Sequence, residues 1–129
     1  KAPWDYDAET LSIVRSFAEL HQTLVPYMLS VVAQELPLIR AMVLSFPDDP
    51  DSWGFEAQYM LGTEILVAPV VSPAGLTSVY LPRGEGGWVD AFTGERSGLG
   101  KHIRVKPPLA QMPLWVRAGA AIVMMHEGA

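Results

Sequence analysis

The 129 residues include no cysteine. That excludes a disulfide scaffold and any thiolate-bound metal. It fits a reducing compartment such as the cytoplasm, and also the secreted enzymes that dispense with disulfides. Basic residues are scarce too: 9 Lys and Arg against 14 Asp and Glu give a formal charge of −5. The longest basic cluster, Lys101-His102-Ile103-Arg104, is no phosphate-binding patch, so no nucleic-acid partner is expected. Long apolar runs are missing as well. Pro and charged residues interrupt each one before the roughly 18 residues a membrane span needs, so no membrane partner is expected. The opening Lys1-Ala2-Pro3-Trp4 shows neither an initiator Met nor an apolar signal segment.

What is present is apolar mass. Half of the chain is hydrophobic and only 18% is charged, which excludes a disordered chain. A domain of this size buries only about two-thirds of its unfolded surface. With four Trp, four Tyr and four Phe, apolar surface should be left over. The expectation is a piece of something larger, or an oligomer.

Residues 8–34 read as a helix. Asp5 or Asp7 is the N-cap candidate, and Glu9 suits the first turn. Leu11, Val14, Phe17, Leu24, Val25, Met28 and Val32 recur at steps of three and four. The stripe widens after Leu24, so the second half is expected to be buried on more than one side. Pro26 predicts a kink near Leu24, and Pro37 ends the element. Residues 38–46 are apolar on both parities and predict a strand covered on both faces. A short helix over 55–61 would end at Gly62. Beyond it the spacing predicts short strands at 65–71, 77–81, 88–92, 102–105, 114–117 and 120–125, separated by Gly- and Pro-rich turns. The expected fold class is therefore α/β followed by all-β, divided near residue 62.

No constellation announces chemistry. Asp48, Asp49 and Asp51 share a Pro-bracketed loop. Adjacent carboxylates point apart, whereas glycosidic cleavage needs two facing across a bond, so turn chemistry is the better reading. His21, His102 and His126 lack ligand spacing, so no metal site is assigned. The glycines from Gly84 to Gly100 lie among turns, not between a strand and a helix, and build no phosphate cradle. Trp4, Trp88 and Trp115 are read as packing; Trp53, beside the aspartates, is the one candidate for stacking on a sugar. Arg40, a charge within an apolar stretch, is read as a structural clamp.

Ordered motifs say more. Val25-Pro26-Tyr27 precedes Leu38-Ile39-Arg40-Ala41-Met42 and Phe46-Pro47-Asp48-Asp49-Pro50. Gln58-Tyr59-Met60-Leu61-Gly62, Leu66-Val67-Ala68-Pro69-Val70, Val79-Tyr80-Leu81-Pro82, Trp88-Val89-Asp90 and Thr93-Gly94 follow. Pro113-Leu114-Trp115-Val116-Arg117-Ala118-Gly119 closes the series. Over nearly its whole length the chain resembles glycoside hydrolase family 31, retaining α-glucosidases and α-xylosidases built on a (β/α)8 barrel with flanking β-domains. The Arg-Ala-Met and Phe-Pro-Asp-Asp-Pro wording is more similar to the α-xylosidase branch.

The resemblance implies a C-terminal piece: residues 1–62 as the last helix and strand of the barrel, residues 63–129 as the proximal antiparallel β-sandwich. The family's catalytic aspartates would precede residue 1, so no catalytic, cofactor-binding or metal-binding residue is carried over. No cofactor is implied. The oligosaccharide substrate would belong to the parent enzyme, and the chain alone is expected to be inactive. The alternative is a stand-alone β-sandwich module that binds carbohydrate or packs on an enzyme. Ala33-Gln34-Glu35-Leu36-Pro37 is shorter than the family pattern by about four residues, roughly one helical turn. A lone barrel strand would leave both edges unpaired. Residues 8–46 are therefore expected to self-associate, to meet the remainder of a parent chain, or to stay mobile, while 63–125 hold a β-core.

Overall fold

The computed structural model describes residues 1–84 and 86–126. Helix α1 spans Ala8–Thr23 and α2 spans Val25–Val32. Asp7 is the N-cap: its carboxylate accepts the Thr10 amide at 2.7 Å, which holds the exposed Asp7 carboxyl below the ordinary carboxylate range. Asp5 closes the preceding 3-10 turn by accepting the Ala2 amide at 2.8 Å. The helix breaks at Leu24, where Pro26 leaves the preceding turn one donor short.

Two expectations about this helix need correction. It stops at Val32, because Glu35 takes up a left-handed conformation with φ 58 at the close of the last turn. Glycine is the usual occupant of that position, since it carries no Cβ penalty. Nor is α2 buried on more than one side. Tyr27 and Val31 are buried, but Leu29 is 63% and Val32 54% exposed.

Residues 38–46 are not one strand. Strand β1 is Ile39–Ala41, and the chain then coils into a single turn, α3, Met42–Ser45. The apolar residues on both parities reflect a change of period. Met42 and Phe46, four apart, turn into the core, while Ile39 and Leu44 stay exposed. Residues 55–61 are not helical either. A turn leads into β2, Tyr59–Leu61, and Gly62 opens the three-residue turn to β3, Ile65–Val67. Gly62 has φ 64, and a Cβ there would overlap the Tyr27 hydroxyl and the Val31 methyl.

The remaining strands are β4 (Thr77–Leu81), β5 (Trp88–Asp90), β6 (Arg96–Ser97), β7 (Lys101–Val105) and β8 (Leu114–Arg117). Residues 120–125, read as a strand, form none. Among the described residues, one antiparallel sheet runs in the order β1-β2-β3-β8-β5-β6, and β4 pairs with β7 in a separate ribbon. The expected division at residue 62 falls in the hairpin between β2 and β3, so the sheet continues across it. Strand β1 pairs with β2 along one edge, and only its other edge is open.

Three layers result. Ile65, Val67 and Leu114 meet Leu24, Tyr27 and Val31 of the helices on one face of the sheet. Met60, Leu66, Trp88 and Trp115 meet Val79 and Leu81 of the ribbon, with Met42 and Phe46, on the other. No residue of α1 is fully buried. Replacing the left-handed residue by Glu35→Gly should stabilise the chain by about 1 kcal/mol. A higher urea midpoint with an unchanged slope is the expected result.

Candidate functional site

The aspartate loop comes first, since it holds the densest set of carboxylates. Asp49 is 6% exposed. The Tyr80 hydroxyl reaches its carboxylate at 3.0 Å and the Arg83 amide donates to it at 2.9 Å. The Ser52 hydroxyl donates to its backbone carbonyl at 2.7 Å. Asp51 pairs with the Arg83 guanidinium at 3.2 Å on the exposed surface, and Asp48 is exposed. Asp49 is thus a buried polar staple between the loop and β4, with Asp51 beside it in a surface pair of small worth.

Gln58 extends the staple. Its amide nitrogen donates to the Tyr80 carbonyl at 2.6 Å and its amide oxygen accepts the Tyr80 amide at 3.0 Å. A buried side chain here imitates a neighbouring strand and satisfies both backbone groups of Tyr80. The Tyr80 ring stacks on Phe55 with centroids 5.7 Å apart, and His102 lies 4.7 Å from it. Burial first, and then the Asp49 carboxylate, raise the Tyr80 phenol above its ordinary value.

Arg40 is not the clamp that its position suggests. It is half-buried opposite Met60, and no carboxylate lies within ion-pair distance of it among the described residues. Arg117 does that work. Its Nε donates to the Thr63 carbonyl at 2.7 Å, and Glu64 lies 4.0 Å away. Its guanidinium sits 5.0 Å from the Phe46 ring centroid and 5.2 Å from that of Trp88, a cation over two adjoining aromatic rings. Both arginines lie in apolar stretches of the sequence, Arg40 within β1 and Arg117 at the end of β8. Only the aromatic neighbours, distant in sequence, distinguish them.

Trp88 and Trp115 are core residues, each 2% exposed. The Trp88 indole donates to the Pro82 carbonyl at 2.9 Å. Trp4, read as packing, is instead 73% exposed. Trp53 is 49% exposed and fixed by an indole bond to the Phe46 carbonyl at 3.2 Å. His21 lies in the last turn of α1, and His126 is exposed in the tail. No group of three or more His, Asp or Glu side chains converges as metal ligands among the described residues. An apolar groove of about 350 Å³ runs between the helices and the sheet, past Phe17, Leu20, Met28, Leu38 and Tyr59.

A family model described as the glycosyl hydrolase family 31 C-terminal domain matches residues 35–122, well over half of the chain. The chain belongs to glycosyl hydrolase family 31. It is 35% identical over 128 residues to the 1,3-alpha-isomaltosidase of Kribbella flavida, covering 92% of this chain and 17% of that protein. To the alpha-xylosidase of Saccharolobus solfataricus it is 34% identical over 132 residues, covering 98% and 18%. The crystal structure of a family 31 alpha-xylosidase from a soil metagenome, complexed with xylose, superposes with a TM-score of 0.86 at 34% identity, covering 95% of this chain and 19% of that one. A Flavobacterium johnsoniae family 31 dextranase complexed with glucose gives 0.87 at 32% identity, with 98% and 17% covered. This family 31 chain thus spans less than a fifth of the length of these relatives.

The Asp49–Tyr80 staple makes the family 31 chain sensitive to alkali. Because burial raises the Tyr80 phenol, its contribution is whole below about pH 10 and is lost as pH rises past the raised folded value. Tyr80→Phe removes the hydroxyl and leaves Asp49 one donor short. It should cost about 1.5–3 kcal/mol at neutral pH in urea titrations. A cost near zero would show that the staple bears no stability.

Proposed function

We propose that this chain is a structural, non-catalytic part of a retaining α-glycosidase that removes terminal α-xylosyl or α-glucosyl residues. The observation that carries the reading is the family 31 C-terminal domain over residues 35–122, found within relatives of which the chain covers less than a fifth and which are named for α-glycoside chemistry. The carboxylates support it. Retaining cleavage uses two carboxyl groups roughly 5–5.5 Å apart across the bond, one of them a free nucleophile. Asp49 is buried and committed to Tyr80 and Arg83, and Asp51 is committed to Arg83. Asp49 is thus committed to structure, and Asp51 to a surface ion pair. The oligosaccharide is then the substrate of the parent enzyme, and the chemistry calls on no cofactor. The absence of cysteine favours a cytoplasmic setting.

Within this reading the helices before residue 35 belong to the end of the (β/α)8 barrel, and the β-sandwich takes up the rest. The start of the family match and the pairing of β1 with the sheet support a division there more than at residue 62. Helix α1, with no buried residue, and the apolar groove beneath it are then the surface that meets the remainder of the parent, or a second copy when the chain is alone.

The test is release of nitrophenol from α-xyloside and α-glucoside substrates by the purified chain. No release is expected. Turnover that disappears in Asp48→Asn or Asp49→Asn would overturn the reading and make the loop an active site.

A further inference from the structure

The break between α1 and α2 leaves a backbone group to be satisfied, and the partner comes from the far end of the described chain. The Thr23 carbonyl closes α1 at the break, and the Met125 amide donates to it at 2.9 Å. To arrive there the chain must reverse after β8. Gly119, at φ 85, and an Ala120 amide bonded to the Arg117 carbonyl at 3.1 Å make that turn. Ile122 then packs against the core between helices and sheet.

We propose that residues 118–125 form a strap that fixes the angle between α1 and α2. A helix interrupted by proline is soft at the break, since its hydrogen-bond ladder is incomplete there. A bond from outside the helix restores a constraint that the helix cannot supply. The strap's near end is anchored firmly, because Arg117 is held by the Thr63 carbonyl and lies against the rings of Phe46 and Trp88. The strap therefore ties the helix break to the end of β8. The groove beside the break is lined by Leu20 and Leu24 on one side of it and Met28 on the other, facing Met112 and Leu114. Its width follows the angle that the strap sets. The strap is thus a conformational device acting on the groove, and it stands whatever the parent enzyme acts upon.

The absence of cysteine makes the test direct. Spin labels at Arg15→Cys on α1 and Arg104→Cys on β7 occupy exposed positions. The distance between them should show one narrow distribution. Met125→Pro removes the donor, and a chain ending at Gly119 removes the strap. Both should broaden and shift the distribution, and speed exchange of the last-turn amides of α1 on the order of fivefold, as one lost hydrogen bond would. Met125→Ala keeps the N–H and should leave the distribution narrow. An unchanged distribution in both strap variants would overturn the proposal, as would a broad one in the unaltered chain. Equal loss of exchange protection in β4 and β8 would overturn it too, making the tail part of the common core.

Discussion

Burial of β3 on both faces is the constraint on which the rest of the fold depends. Ile65, Leu66 and Val67 are all 3% exposed or less. Alternation sends Ile65 and Val67 toward the helices and Leu66 toward the ribbon, so three residues hold three layers together. Each such side chain contributes about 1.5–3 kcal/mol by leaving water. A slip of one residue would exchange the two faces, so the register is strongly specified. Tyr27 pins it. Its hydroxyl donates to the Leu61 carbonyl at 2.7 Å and accepts the Glu64 amide at 3.1 Å, which fixes the turn that leads into β3.

Asp49 and Gln58 enter this core with their polar atoms paired, whereas the buried Ser45 hydroxyl has no partner among the described residues. Asp49 and Gln58 bind the loop and β2 to β4, and Arg117 binds β8 to the turn before β3. Each of these groups spans elements far apart in sequence, so its removal leaves partners in distant elements unsatisfied. Such staples make a rigid body. A rigid β-domain that offers an apolar groove on its helical side suits a supporting role beside a catalytic unit, and the carboxylates spent on structure are consistent with that.

Much of this was legible in the sequence. The strands Thr77–Leu81 and Leu114–Arg117 lie where alternation and turn residues put them, and Pro26 marks the helix break at Leu24. The ordered motifs named the family outright. The misread segments share one cause. Residues 38–46 and 55–61 are short apolar runs, in which a three-residue strand and a single helical turn are indistinguishable by period alone. Their structure is decided by partners: β1 and β2 exist because β3 pairs with β2. The candidate residues divide in the same way. Asp49 was visible as loop chemistry, but its staple to Tyr80 is a contact across 31 positions. Arg40 reads as a clamp from its apolar surroundings, whereas the rings that mark Arg117 come from positions 46 and 88, far from it in sequence.

The packing of Tyr27 and Val31 on Ile65, Val67 and Leu114 predicts that α2 and the sheet unfold as one cooperative body across Gly62. Amide hydrogen exchange under native conditions tests this most directly. The amides of α2 around Tyr27 and Val31 should exchange at the same free energy as those of β3 and β4, and should fall with them as urea is added. Exchange of α2 through a separate opening, while β3 and β4 remain protected, would contradict the account.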